Sequence, residues 1–417
     1  MKSAYQLIII GGGPAGLAAA ISAYDEGIRD LVILEREENM GGILNQCIHN
    51  GFGLRRFKES LSGPEYAARF IDEVEKRGIE VLTGTTVLSL TEDKRVTAVN
   101  SKEGLFTLEG GAVILAMGCR ERSRGALNIA GSRPAGIYSA GTAQRYVNEK
   151  GYMPGKSVVI LGSGDIGLIM ARRMTLEGAT VHAVCEIMPY SSGLRRNIVQ
   201  CLDDFEIPLY LNHTIVGIEG EERVRGVYIA EVDENRRPKP DTRRYIACDT
   251  VLFSVGLIPE NELTKEAGIP LSPQTRGALV YQSRETLREG IFACGNVLQV
   301  HDLVDFVSEE AELCGRYAAS YIQNGKKEPD PLSVTAGEGI SYVVPQCIDK
   351  NIGGHVKCFF RVKGIYENCR IVAKCGDKIL AEAKRATVAP GEMETLLLKE
   401  GAIREATGTV TLSLEVL

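Results

Sequence analysis

The sequence predicts an α/β protein in which one strand–glycine turn–helix unit occurs twice, followed by a small β-sandwich-like C-terminal domain. Three observations carry this. A wholly apolar run, residues 7–10, ends in glycines and opens a helix-like stretch. A second such run, residues 157–161, does the same, and the glycines that follow the two runs, Gly11 and Gly162, lie 151 positions apart. From residue 333 onward the pattern changes to short β-rich runs separated by turn signals.

The first unit reads as a strand buried on both faces, Leu7–Ile10, then Gly11-Gly12-Gly13-Pro14-Ala15-Gly16, then a helix over Leu17–Tyr24. A second strand, Asp30–Leu34, ends at Glu35, with Arg36 next. Each glycine meets a physical need. Gly11 permits the tight turn, Gly13 lets backbone approach a pyrophosphate, and Gly16 lets helix and strand pack closely. The helix start at Pro14 and Ala15 turns peptide N–H groups toward phosphate. Glu35, 24 residues after Gly11, can accept hydrogen bonds from ribose hydroxyls. A lone glycine turn is weak evidence. Strand, helix and acid at the right offset make it a dinucleotide site, here Rossmann-like.

The second unit repeats the spacing. Strand Ser157–Leu161 precedes Gly162-Ser163-Gly164-Asp165-Ile166-Gly167, a helix runs to Glu177, and strand Thr180–Cys185 ends at Glu186, again 24 residues after the first glycine. Gly162, Gly164, Ile166, Gly167 and Glu186 are the cofactor-binding candidates. A carboxylate at Glu186 accepts a free ribose 2′-hydroxyl and repels a 2′-phosphate, so NAD is expected over NADP. Gly151–Ser157 imitates a P-loop but has three residues between its glycines, and a strand rather than a helix follows. Pro154-Gly155 reads as a linker into the second domain.

Three further stretches, Ala112–Gly118, Thr250–Pro259 and Gly290–Asn296, are apolar strands that end in small residues. Together with the two glycine turns they resemble the two-dinucleotide-binding-domain flavoproteins, such as thioredoxin reductase and the disulfide reductases, over residues 1–325. The resemblance implies FAD in the first unit and the nicotinamide in the second, inserted unit. It implies that Ala116, Gly118 and Gly256 keep backbone near the dinucleotides and that Gly42 and Gly295 line the FAD site. It also implies that the helix after Asp302 points its N-terminus at the flavin pyrimidine. In that family the last motif ends Gly-Asp and the acid binds the ribityl chain. Here Asn296 stands there, and its amide can still accept from a hydroxyl.

Residues 117–122 and 133–141 resemble a narrower group, the NAD/FAD subunits of opine oxidase, hydrogen cyanide synthase, dye-linked proline dehydrogenase and heteromeric sarcosine oxidase. Residues 41–53 and 301–305 resemble most closely a bacterial FAD-dependent oxidoreductase encoded beside a glycerol-3-phosphate-dehydrogenase-like flavoprotein and a small cysteine-rich protein. That resemblance implies an electron-transfer subunit. Its expected partners are a substrate-oxidising flavoprotein, acting on glycerol 3-phosphate or another hydroxy or amino acid, and an iron–sulfur-type subunit. The alternative is a stand-alone NADH oxidase or diaphorase using Cys47 and oxygen.

The chain has eleven cysteines and neither C-x-x-C nor C-x-x-x-x-C, so the usual disulfide relay is not expected. Cys47 is the candidate catalytic residue: family geometry would put it near the flavin, where a thiolate could form an adduct or a sulfenate. The commoner reading of such a cysteine is packing, and His49 likewise reads first as a structural hydrogen-bonding residue. Cys347, Cys358, Cys369 and Cys375 lack the close pairs that metal and cluster sites prefer, so no metal is expected.

Net charge is −6 with a pI near 5.7, which argues against nucleic acid as a partner. The basic stretch 236–244 lies between the strand-like runs 225–232 and 245–253 and reads as a solvated hairpin loop. Glycines interrupt the apolar N-terminus where a signal peptide would be continuous, no stretch is long and apolar enough to span a bilayer, and unpaired cysteines fit a cytoplasm. The expected boundaries are an FAD domain over 1–150 and 281–330, an inserted NAD domain over 151–280 and a β-rich domain over 331–417.

Overall fold

A computed structural model describes residues 2–325 and 328–417. Contacts divide the chain into two compact units. One holds residues 1–45, 50–119 and 259–417, and the other holds 46–49 and 120–258. The main crossings therefore fall at Cys119–Arg120 and Ile258–Pro259, where sequence placed them at 150/151 and 280/281. Pro154-Gly155, read as a linker, lies inside the second unit.

The first unit is built on a mixed sheet whose parallel core runs, in spatial order, Glu80–Leu82, Leu31–Leu34, Ala4–Ile10 and Gly104–Leu115. Strand Ile291–Ala293 also pairs in parallel with Gly104–Leu115. The apolar run works as pattern demands: Leu7 and Ile9 pack into one core layer, Ile8 and Ile10 into the layer on the opposite face. Both faces are dry, so no polar residue alternates with them. Helix Pro14–Asp25 covers one face and lies against the long helix Val304–Asn324. Close approach is forced there, since a Cβ on Gly315 would lie 2.3 Å from the Ala19 carbonyl oxygen.

The second unit repeats the design with a five-stranded parallel sheet, ordered Ile137–Ser139, Thr250–Phe253, Ser157–Leu161, Thr180–Glu186 and Leu209–Leu211. Val158 and Ile160 face one core, Val159 and Leu161 the other. The run read as one strand over 245–253 is two: Arg244–Ala247 closes an antiparallel hairpin with Gly226–Glu231, and Thr250–Phe253 joins the parallel sheet. Asp249 makes the break by accepting the peptide N–H groups of Lys156 and Ser157.

The C-terminal domain lies within the first unit. A five-stranded sheet and a three-stranded sheet enclose one apolar core that includes Ile348, Phe360, Ile371 and Leu412. The expected β-sandwich is present, with two additions. Residues 341–348 form two strands broken at Pro345, and a short helix, Glu400–Glu405, precedes the last strand. Among the described residues, no helix is long and apolar enough to cross a membrane.

Candidate cofactor-binding site

At the end of strand Ala4–Ile10 the chain turns at Gly11, whose φ of +111° favours glycine. A Cβ there would lie 2.4 Å from the Ala116 carbonyl oxygen, and one on Gly16 would lie 1.8 Å from the Gly11 oxygen. These two glycines hold strand, turn and helix together. Gly13 is different: a Cβ there would meet nothing nearer than the Gly42 Cα at 3.9 Å. Gly13 caps helix Pro14–Asp25 without a side-chain hydrogen bond, leaving the first-turn peptide groups to an incoming anion.

Glu35 closes the turn. Its buried carboxylate accepts the Gly12 N–H at 2.6 Å on one oxygen and the Glu37 N–H at 2.8 Å on the other. Carboxylate oxygens have capacity beyond one bond each, so ribose hydroxyls can still bind. Arg36, next along, is exposed. Gly42 backs on to Gly13, where a Cβ would come within 3.0 Å of the Gly13 Cα. Gly118, with φ +70°, faces open space.

The second unit reproduces this set. Gly162 has φ +101° and would place a Cβ 1.9 Å from the Ser254 oxygen, and a Cβ on Gly167 would lie 2.5 Å from the Gly162 oxygen. Gly164 caps its helix, and a Cβ on it would meet no atom nearer than 3.7 Å. Gly256 again faces open space. Ile166 is partly buried against the neighbouring core. Glu186 accepts the Ser163 N–H at 3.0 Å and the Ser163 hydroxyl at 2.7 Å on one oxygen, and the Met188 N–H at 3.0 Å on the other. Gly12 and Glu37 in the first unit occupy the same relative positions as Ser163 and Met188 in the second. The glycines leave room for phosphate and the acids stand where riboses are read, so both sets of residues fit a dinucleotide.

Sequence reasoning missed several contributors. Asp165, at the helix start, accepts the Leu194 N–H at 2.8 Å and the Asn197 amide at 2.7 Å, and Ser191 donates to the Ser163 oxygen at 3.0 Å. These hold residues 191–194 and the start of helix Arg195–Cys201 against the second turn, a contact no local pattern announces.

In the turn after strand Ile291–Ala293, Gly295 has φ +73° and would place a Cβ 2.7 Å from the Ala15 Cβ. This turn and the first glycine turn are thus neighbours. The Asn296 oxygen accepts the His301 N–H at 3.0 Å, and its amide nitrogen donates to Cys119 Sγ at 3.6 Å.

Cys47 belongs to the second compact unit. Its thiol is 3.9 Å from the Gln144 oxygen, and Gln46 beside it is tied to Gly141, Gln144 and Asn148. Burial, helped by the Glu149 charge, pushes the Cys47 thiol up to about 12. At neutral pH it is therefore a thiol and not a nucleophilic thiolate. His49 is held below its usual value, first by burial and then by Arg196. In the sandwich, Cys358 and Cys369 are buried core residues.

Fold and site together define an FAD-dependent pyridine nucleotide oxidoreductase, with FAD and NAD(P) as its cofactors. The family profile "Pyridine nucleotide-disulphide oxidoreductase" matches residues 5–314, and the chain belongs to that family. It is 25% identical over 334 residues to thioredoxin reductase of Treponema pallidum, covering 77% of this chain and 98% of the relative. An opine oxidase subunit of Rhizobium meliloti is 25% identical, with 76% of this chain matching 62% of that protein. Hydrogen cyanide synthase subunit HcnB of Pseudomonas protegens is 24% identical, with 63% of this chain matching 58% of it. The chain thus spans under two thirds of these two subunits. Among solved structures, thioredoxin reductase of T. acidophilum superposes with a TM-score of 0.63 at 23% identity, covering 76% of this chain and 99% of the other. L-proline dehydrogenase of P. horikoshii gives 0.54 at 17% identity, over 77% and 56%. These two likenesses establish the fold.

Proposed function

We propose that this chain is the electron-transfer subunit of a heteromeric dehydrogenase, exchanging hydride between NAD and FAD while a partner flavoprotein oxidises the organic substrate. The substrate class is glycerol 3-phosphate or another hydroxy or amino acid, and a small iron–sulfur-type subunit is a further partner. Bound FAD supplies the two-electron chemistry. The chain's own residues bind and orient. Gly13 and Gly164 admit the pyrophosphates to the helix starts, Glu35 and Glu186 orient the riboses, and Asn296 holds the ribityl chain. Glu186 already accepts three hydrogen bonds, and a carboxylate at this position repels a 2′-phosphate, so NAD is favoured over NADP.

The observation that carries this reading is that both glycine turns have their buried acids, Glu35 and Glu186, while the paired-cysteine motifs of a disulfide relay are missing. The sequence holds no C-x-x-C or C-x-x-x-x-C. Cys47 is a protonated thiol at neutral pH. Cys294 and Cys314 hydrogen-bond to one another, but both are fully buried. A relay to an external disulfide therefore has no visible start. Two relatives named as subunits, those of opine oxidase and hydrogen cyanide synthase, support a multisubunit setting. The test is to purify the chain alone and co-expressed with its genomic neighbours, then assay substrate-dependent NAD or dye reduction. Activity only with the partner is expected. Full substrate oxidation by the isolated chain would overturn the subunit role.

A further inference from the structure

Glu310, on the long helix Val304–Asn324, is a carboxylate with a side-chain exposure of 0%. Four donors converge on it. Arg284 Nε and Gln299 Nε2 each lie 3.0 Å from one oxygen, and the Gly295 N–H and His301 Nε2 each lie 3.0 Å from the other. Burial would push this acid up, but the charges and hydrogen bonds of His301, Arg284 and Gly295 outweigh it and hold it at about 2.

Two of those donors belong to the turn that carries Asn296. Gly295 is wedged between helices, since a Cβ on it would lie 2.7 Å from the Ala15 Cβ and 3.3 Å from Val307 Cγ1. His301 has its own backbone N–H on the Asn296 oxygen. Its ring stands edge-on to Phe359 at 5.6 Å, and its Nδ1 has no partner among the described residues. Glu310 is thus the polar anchor of that ring.

We propose that Glu310 is the positioning residue of the FAD site: it grips the Gly295–His301 turn from both ends and so fixes the direction of the Asn296 amide. Burying a carboxylate is costly, and an apolar side chain would pack this helix as well. Only an acceptor can hold a peptide N–H and an imidazole N–H at once. Arg284 balances the charge from a separate turn and adds a bond to the Gln282 oxygen at 3.3 Å. The proposal rests on the reading that Asn296 faces FAD.

A double-mutant cycle tests both and separates them. The FAD dissociation constant is measured by fluorescence on apo-protein refilled with FAD, for wild type, Glu310→Gln, Asn296→Ala and the double variant. Melting of each apo-protein serves as the fold control. Glu310→Gln and Asn296→Ala should each weaken FAD at least tenfold, and the double variant should be no weaker than Asn296→Ala within about twofold, because Glu310 acts through Asn296. His301→Gln, whose amide still donates to Glu310, should retain most of the affinity that His301→Leu loses. If Asn296→Ala leaves FAD affinity unchanged, the assignment of Asn296 fails and the proposal with it. If Asn296→Ala weakens binding and Glu310→Gln does not, the proposal alone fails. Additive losses would make Glu310 a general stabilising residue and also overturn it. Should Glu310→Gln not fold, His301→Leu takes its place in the same cycle, with the same outcomes deciding.

Discussion

At the scale of single residues, the glycines of each turn divide into two kinds. A methyl on Gly167 meets the Gly162 oxygen at 2.5 Å and Ser254 Cβ at 2.8 Å, whereas one on Gly164 meets nothing within 3.7 Å. Gly167→Ala should therefore cost fold stability, about 2 kcal/mol or more, read as a lowered denaturation midpoint. Gly164→Ala should leave the midpoint within error and raise the apparent Kd for NADH, because only a ligand competes for that space. Equal loss of stability in both variants would refute the division. Glu186→Arg replaces the charge that opposes a 2′-phosphate. The NADPH-to-NADH ratio of flavin reduction rates should rise tenfold or more in stopped flow, a shift of at least about 1.4 kcal/mol. Wild-type preference for NADPH would contradict the assignment. Both carboxylates were legible from spacing alone, because a residue at the tip of the second strand lies beside the first glycine turn in any parallel βαβ unit. Glu310 was not legible. Its four partners come from Arg284, Gly295, Gln299 and His301, and the chain between them carries no motif.

At the scale of elements, an ion pair and its hydrogen bonds tie the sandwich to the segment around Asp302. Arg361 pairs with Asp302 and donates to the Tyr342 hydroxyl at 3.2 Å and to the Val300 oxygen at 3.2 Å. Asp302 also accepts the Met393 N–H at 2.6 Å. Phe306, Phe359 and Met393 form a small apolar cluster beside this pair. Arg361→Met should lower stability by about 3 kcal/mol, since the mostly buried Asp302 carboxylate loses its counterion. Chemical denaturation measures this, and a loss below about 0.5 kcal/mol would show the pair to be incidental. The long helix makes a pH prediction. Glu310, facing Arg284 and His301, has its folded value depressed to about 2, below its unfolded value. The stability it contributes is therefore present above pH 4.5 and lost as pH falls toward 2, on the order of 3 kcal/mol in all. Glu310→Gln should flatten the acid limb of the stability curve over that window. An unchanged slope would mean that Glu310 is not ionised there.

At the scale of the whole molecule, the two dinucleotide units are what bound FAD and nicotinamide require, and the sandwich lies beyond the 5–314 family match. NADH should bleach the bound flavin of the isolated chain, while organic substrate should do so only with the partner present. Removal of residues 333–417 would separate two roles for the sandwich. Loss of co-purification with flavin retained would make it a docking element. Flavin loss on deletion would place its function in supporting the Asp302 segment.

The sequence by itself determined the two glycine turns, their acids, the four apolar strand runs that precede and follow them, and the β-rich character of the C-terminal domain. Each is written in consecutive residues, as a backbone conformation only glycine tolerates or a strand face with no polar residue to expose. Tertiary structure decided the rest. It put the 46–49 segment with the second unit, split 245–253 between two sheets, and moved the crossings to 119/120 and 258/259. It also gathered a buried charge network around Asn296. Those outcomes depend on which distant surfaces bury one another and on where a desolvated charge finds its donors, and neither is encoded within any one stretch of chain.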